Sequence, residues 1–166
     1  GGGQARVLSQ ALYTGPYGVL PYSRVQTNEY QWSPDGAKIV FVSNQGGITN
    51  VTLIGADGSG LRALTSNSDR EVRYACPLFS PDGRRIAFSS KITNADRKSV
   101  HGIWELDVES GEIRSLVEDN NFKKILGWSP DGKSLLIVKA EKSEFDGLHA
   151  ELALIRVEIQ TSQNNL

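Results

Sequence analysis

Trp32-Ser33-Pro34-Asp35-Gly36 is the stretch that decides the fold, because the chain repeats it twice. Its counterparts are Phe79-Ser80-Pro81-Asp82-Gly83 and Trp128-Ser129-Pro130-Asp131-Gly132, which begin 47 and 49 residues after the copy before them. A self-similarity at a period of about 40 to 50 residues is typical of repeat architectures such as solenoids and propellers. An apolar run follows each copy, as in Ile39-Val40-Phe41-Val42 after the first. We therefore expect three copies of one structural unit.

Each copy has the composition of a tight turn between two β-strands. Proline fixes φ at about −65°, which the second position of a type I turn requires. Asp accepts hydrogen bonds from nearby amides, and Gly takes the positive φ that closes the turn. We therefore assign these residues to structural turns rather than to chemistry: Pro34, Asp35 and Gly36, Pro81, Asp82 and Gly83, and Pro130, Asp131 and Gly132.

Length and composition are those of one all-β domain. The 166 residues hold short runs of β-branched and aromatic residues broken by Gly, Asp and Pro, and no long stretch keeps a helical period. The net charge of −1, from 18 basic and 19 acidic residues, argues against a nucleic-acid or anionic-membrane partner. The sequence has no run of 18 apolar residues, so we expect no insertion into a membrane. Cys76 is the only cysteine, so we expect a buried thiol and no intramolecular disulfide.

Each repeat reads as a blade of up to four short antiparallel strands within a single domain, residues 1–166. The Arg-x-Leu segments at residues 62–64 and 114–116 close the first two repeats, and no such segment follows the third. A similar segment, Arg6-Val7-Leu8, stands near the N-terminus. The predicted units are a spare outer strand at 1–9, a long Tyr/Gly/Pro loop at 10–26, blade 1 at 27–65, blade 2 at 73–117 and blade 3 at 124–157.

The three repeats resemble the TolB-like β-propeller repeat. The likeness is carried by the first turn motif with its apolar run, and by Ala56-Asp57-Gly58-Ser59-Gly60-Leu61-Arg62-Ala63-Leu64-Thr65. The resemblance implies blades arranged as in a propeller, and a periplasmic or extracytoplasmic location. TolB-like propellers serve as protein-interaction modules, as sensor domains of regulators and as gating propellers of serine peptidases. The resemblance therefore implies the fold more narrowly than the function.

The count of repeats departs from the family pattern of six or seven blades. Three sheets do not surround a channel, since the smallest propellers have about four blades. One interpretation is a homodimer that forms a six-bladed ring, in which the N-terminal strand of a partner chain supplies the outer strand of blade 3. The other is that the missing blades belong to a longer chain. We favour the homodimer because the spare strand and the missing strand are complementary.

The turn motifs lie at one end of the blades, which we call the bottom. The candidate binding residues lie on the loops at the opposite end, which we call the top. We expect the connections 10–26, 44–49, 66–72, 91–100, 118–123 and 141–148 to lie there. Tyr and Arg are the residues that most often anchor protein interfaces. The candidates for partner binding are Tyr13, Tyr17, Tyr22, Arg70, Lys91 and Arg97. The first hypothesis is a non-catalytic module that binds a protein or peptide, and the alternative is an accessory or gating propeller of a larger enzyme or a sensor domain.

We expect no catalytic residues, no metal site and no cofactor. His101 and His149 are the only histidines, too few for a zinc cluster without cysteines. Ser99 and Asp96 stand near His101, but closeness along the chain is not the geometry of a catalytic triad.

Overall fold

The computed structural model describes residues 30–143 and 147–157, which form β-strands joined by turns and short connections. The described part contains no helix, and therefore none that is long and apolar enough to cross a membrane. The strands are β1 (Tyr30–Trp32), β2 (Lys38–Gln45), β3 (Ile48–Gly55), β4 (Arg62–Ala63), β5 (Val72–Phe79), β6 (Arg85–Thr93), β7 (Ser99–Asp107), β8 (Ile113–Asp119), β9 (Phe122–Trp128), β10 (Ser134–Ser143) and β11 (Gly147–Arg156).

The strands form three antiparallel sheets, each a meander of consecutive strands. Blade 1 has the order β1-β2-β3-β4, blade 2 the order β5-β6-β7-β8, and blade 3 the order β9-β10-β11. This all-β arrangement of blades is a partial propeller, as the sequence predicts. The predicted N-terminal strand and the loop at 10–26 lie outside the described residues, so the source of the fourth strand of blade 3 stays a prediction.

The turn motifs share one set of hydrogen bonds at the bottom of the blades. The Ser33 hydroxyl accepts from the amide of Lys38 at 2.9 Å and donates to Asp35 Oδ1 at 2.6 Å. The Gly36 amide donates to the Ser33 carbonyl, and Gly36 has φ of 69°. The same bonds recur at Ser80 and Ser129. Each motif thus binds its own backbone and fixes where the next strand begins.

Successive turns also stack on one another. A methyl group added at Gly83 would lie 3.5 Å from Pro34 Cδ, and one added at Gly132 would lie 3.6 Å from Pro81 Cδ. These are ordinary van der Waals distances. The proline of each turn therefore lies against the glycine of the next, and the stack sets the spacing of the blades at the bottom.

Two apolar clusters lie between the blades. Between blades 1 and 2, Val40 and Leu53 pack with Phe79 and Phe88, all at most 4% exposed. Between blades 2 and 3, Ile103 packs in a second cluster with residues of blade 3 that include Leu135 and Ile137. Blade 2 is therefore apolar on both faces and lies between the other two.

Ion pairs within blade 2 hold Arg85, which in turn contacts blade 3. Arg85 Nη1 lies 3.3 Å from Glu105 Oε2, and Arg114 Nη2 lies 2.8 Å from Glu105 Oε1. Arg85 Nη2 also donates to the Gly132 carbonyl at 2.8 Å, and its guanidinium carbon lies 4.9 Å from the centre of the Trp128 ring. One side chain thus neutralises a buried carboxylate and binds the turn and the aromatic ring of the next blade.

Two of the predicted loops at the top are longer than those observed, because their hairpin strands continue past the predicted ends. The 44–49 loop is a two-residue turn at Gly46 and Gly47, whose φ values of 61° and 87° match a type I′ hairpin. The 91–100 loop is limited to Asn94–Lys98, since Thr93 still pairs with Ser99.

Replacement of Arg85 by Ala is expected to lower the free energy of unfolding by roughly 2–4 kcal/mol, because Glu105 loses one of its two cations and Trp128 loses its cation contact. Urea unfolding followed by tryptophan fluorescence measures the loss. The neighbouring, exposed Arg84 is the matched control, and its replacement by Ala should change stability by about 0.5 kcal/mol or less. Equal effects of the two substitutions would contradict the assigned role of Arg85.

Candidate functional site

The top end of the blades is held by side chains that bond the backbone. Asn50 Oδ1 accepts from Thr65 Oγ1 at 2.7 Å and from the Asn67 amide at 2.8 Å. Asn67 Nδ2 in turn donates to the carbonyls of Thr49 and Val72. These bonds fix the connection from blade 1 to blade 2 on the sheets beneath it. The connection is therefore an ordered surface from which other side chains project.

Arg70 lies on that connection, and Arg97 lies at the tip of the β6–β7 hairpin. Both are exposed, and the Arg70 side chain passes close to Gly47. Arg97 has φ of 59°, a conformation that few residues other than Gly, Asn and Asp adopt in a turn. The two guanidinium groups thus belong to different blades at the same end of the sheets.

Lys91 differs from its predicted position in a loop. It lies in β6, exposed, directly opposite Arg73 on one side and His101 on the other. The cause is the continuation of β6 to Thr93. Arg73, which the sequence does not single out, donates to the Gly47 carbonyl of blade 1. Tyr13, Tyr17 and Tyr22 lie outside the described residues, and their assignment to partner binding stays a prediction.

A buried lysine joins blades 2 and 3 near the top. The side chain of Lys123 is 1% exposed, and its ammonium forms an ion pair with Asp119. It also donates to the Asn121 carbonyl at 3.0 Å and lies 3.5 Å from the His101 carbonyl. A buried ammonium with three acceptors is satisfied. Lys123 is therefore a structural contact from blade 3 to blade 2. The sequence does not reveal it, because the burial of Lys123 depends on how the two blades pack.

Burial and the charge of Lys123 shift the pKa values of the neighbouring groups His101 and Asp119. Burial is the main cause that lowers the pKa of His101 below its ordinary value of 6.5, and the positive charges of Lys91 and Lys123 lower it further. Burial opposes ionisation of Asp119, but hydrogen bonds from Lys123 and the Asn121 amide outweigh it and hold the pKa of that carboxyl below 3.8. His101 is therefore neutral at pH 7, with its ring edge-on to Phe122 at 5.7 Å between centroids.

The His101 environment predicts a loss of stability on acidification. Since the folded pKa is below the unfolded one, the unfolded chain binds the proton first, and stability falls as the pH drops through 6.5 toward the folded value. His101→Gln should flatten this part of the profile. Urea midpoints at pH 5, 6, 7 and 8 check it, with pH 8 as the internal reference. An unchanged slope between pH 7 and 5 in the variant would contradict the assignment.

His101 forms no catalytic set with the residues near it in sequence. Ser99 Oγ lies 3.4 Å from Thr93 Oγ1, and Asp96 is exposed in the hairpin turn. In the described ranges, no hydrogen bond joins His101 to Ser99 or Asp96, and no group of three His, Cys, Asp or Glu residues is placed to hold a metal ion. The top thus presents exposed cations together with exposed carboxylates, Asp69, Glu71 and Asp96.

The repeat, the three stacked sheets and the turn motifs define the class of protein as a partial β-propeller. The family model for the TolB beta propeller domain matches residues 2–165, and the chain belongs to this family. The resemblance seen in the sequence is thereby confirmed.

Two curated relatives are much longer proteins than this chain. The chain is 31% identical over 121 residues to the uncharacterized peptidase YuxL of Bacillus subtilis, covering 68% of this chain and 17% of YuxL. It is 33% identical over 131 residues to dipeptidyl-peptidase 5 of Porphyromonas gingivalis, covering 75% of this chain and 19% of that protein. The chain thus spans less than a fifth of these curated relatives.

The fold is also that of solved TolB structures. TolB from Acinetobacter baumannii superposes with a TM-score of 0.56 at 18% identity, over 78% of this chain and 31% of the TolB chain. At this identity the likeness concerns the fold alone.

Proposed function

We propose that the chain is a non-catalytic interaction module that binds a protein or peptide through the top of its blades. The observation that carries the proposal is the exposure of Arg70, Lys91 and Arg97 on an end of the sheets whose connections are fixed by hydrogen bonds. Arginine side chains on rigid frames are common anchors of protein interfaces. The opposite end is occupied by stacked turns that bond themselves.

The three cations suggest a partner with acidic groups. Lys91 and Arg73 are like charges directly opposite each other on adjacent strands, a pairing that destabilises a sheet unless something compensates it. Arg73 is engaged with the Gly47 carbonyl, whereas Lys91 is exposed. A carboxylate of a bound peptide would relieve this repulsion. The favoured ligand is therefore a peptide segment that carries Asp or Glu.

Selection from a library of random twelve-residue peptides tests this function. We expect enrichment of acidic peptides, and loss of their binding in the double variant Arg70→Glu, Arg97→Glu. Arg84→Glu, at an exposed arginine of the bottom turn, is the matched control and should bind normally. Peptides that bind the top variant as well as the unmodified chain, or a selection that enriches nothing, would overturn the proposal.

A second candidate is an accessory or gating propeller of a serine peptidase. It is favoured by the two relatives named as peptidases, of which this chain matches a part. The coding sequence on both sides of this chain decides the matter. A segment with the serine nucleophile elbow of an α/β-hydrolase beside it would support this candidate, and flanking sequence without one would reject it.

The proposed assembly is a homodimer with six blades in one ring. It is supported by the exposed apolar residues of the end blades, Tyr30 and Trp32 on blade 1 and Leu152 and Leu154 on blade 3, since such patches mark interaction surfaces. An extracytoplasmic location, implied by the resemblance, stays a prediction.

A further inference from the structure

The outer face of blade 3 is an exposed leucine surface. Leu126, Leu136, Leu152 and Leu154 are 45%, 36%, 68% and 71% exposed, and we call these four residues the leucine face. Leu136 and Leu154 lie directly opposite each other in the register of β10 and β11. In the region that the structure describes, no strand packs on this face. A contiguous apolar patch of this kind marks an interaction surface.

The outer face of blade 1 is aromatic. Tyr30 pairs with Phe41 and Trp32 pairs with Ile39 across β1 and β2, and we call these four residues the aromatic face. Tyr30 is 60% exposed and Trp32 is 52% exposed, while Phe41 is 3% exposed. An open groove of about 420 Å³ continues from Phe41 past Ser43 and Thr52 to Leu61.

The repeat shows which partner the leucine face fits. Counting from the serine of each turn motif, Leu136 stands where blade 1 has Val40. The strand registers then place Leu154 at the position of Leu53, and Leu152 at that of Val51. In blade 1 these three residues are 0%, 4% and 0% exposed, because they lie in the cluster shared with blade 2. The leucine face is thus the same half of an inter-blade interface, without its other half.

The aromatic face supplies that other half. By the same count, Trp32 stands where blade 2 has Phe79, Ile39 where it has Ile86, and Phe41 where it has Phe88. The three blade 2 residues are at most 4% exposed in the cluster shared with blade 1. The interface between blades 1 and 2 therefore joins an aliphatic face to an aromatic face, and the two outer faces of the chain carry the same two chemistries.

The stack of turn motifs ends at the outer faces of blades 1 and 3. Gly83 and Gly132 each meet the proline of the preceding turn, whereas a methyl group at Gly36 would meet nothing within 4 Å. At the other end of the stack lies Pro130, in the last of the three turn motifs. Docking blade 3 onto blade 1 of another copy would place Pro130 against Gly36 and continue the stack.

We propose that the leucine face of one copy packs on the aromatic face of a second copy, with Leu136, Leu152 and Leu154 against the exposed rings of Tyr30 and Trp32. This inference rests on the proposed homodimer and defines its interface. The contact is heterologous, since it joins different faces of the two copies. Two such contacts, related by a twofold axis, close the ring and cover both faces of both copies.

Charge substitutions on each face test the interface. In light scattering at concentrations where the unmodified chain is a dimer, Leu152→Glu with Leu154→Glu should give monomers, and so should Trp32→Lys. Ile113→Glu is the matched control, because Ile113 is also an exposed apolar residue but lies in the outer strand of the middle blade. That control should remain dimeric. Far-UV circular dichroism verifies that each variant is folded.

Mixing the two monomeric variants is the decisive experiment. A dimer of one copy of each variant has one interface without substitutions and one in which the glutamates face the lysine. The mixture should therefore return to dimers. Monomeric variants that do not recombine would overturn the proposal, as would a dimer that tolerates all of these substitutions or an unmodified chain that is monomeric. The last result would assign both faces to blades of another chain. Peptide selection on the monomeric variants tests the top face separately, so the two proposals fail independently.

Discussion

The structure depends on one constraint, which is that every sheet of this chain is apolar on both of its faces. A sheet of this kind is stable only when another sheet covers each face, because exposed apolar area is unfavourable in water. Blade 2 meets the constraint within the chain, since Phe88 lies in the cluster with blade 1 and Ile103 in the cluster with blade 3. Blade 3 leaves Leu152 and Leu154 exposed on its outer face, and blade 1 leaves Tyr30 and Trp32 exposed, although Phe41 on the same face is buried. The proposed contact between two copies would cover these exposed residues.

Polar contacts fix the angle and spacing that the apolar clusters leave free. At the bottom, the prolines stack on glycines and Arg85 binds the turn of the next blade. At the top, the ammonium of Lys123 crosses from blade 3 to Asp119 of blade 2. Buried charges of this kind are costly unless they are paired, so they allow one arrangement of the two sheets and disfavour others. The backbone that carries the exposed cations at the top is consequently held in one arrangement, as the proposed recognition surface requires.

The sequence predicts what local chemistry decides. Pro, Asp and Gly at Pro81, Asp82 and Gly83 specify a turn through their own dihedral preferences and short hydrogen bonds, and the hairpins follow from the apolar runs on either side. The sequence does not predict the extent of β6, because strand length at the top depends on pairing with β7 rather than on composition. Nor does it predict that Arg85 binds the turn and the Trp128 ring of blade 3, or that Lys123 binds blade 2, because these contacts depend on how the blades pack. The bulge at Cys76 and Pro77, with Cys76 at φ of 53°, is likewise a product of packing.

The mass of the unmodified chain in solution tests the central claim most directly, since the claim is that the two outer faces complete each other. Light scattering on a sizing column, over a range of concentrations, measures it without any substitution. A particle of twice the 18.1 kDa chain mass is the predicted result. A particle of 18.1 kDa that persists as the concentration rises would contradict the claim, because both apolar faces would then remain exposed to solvent.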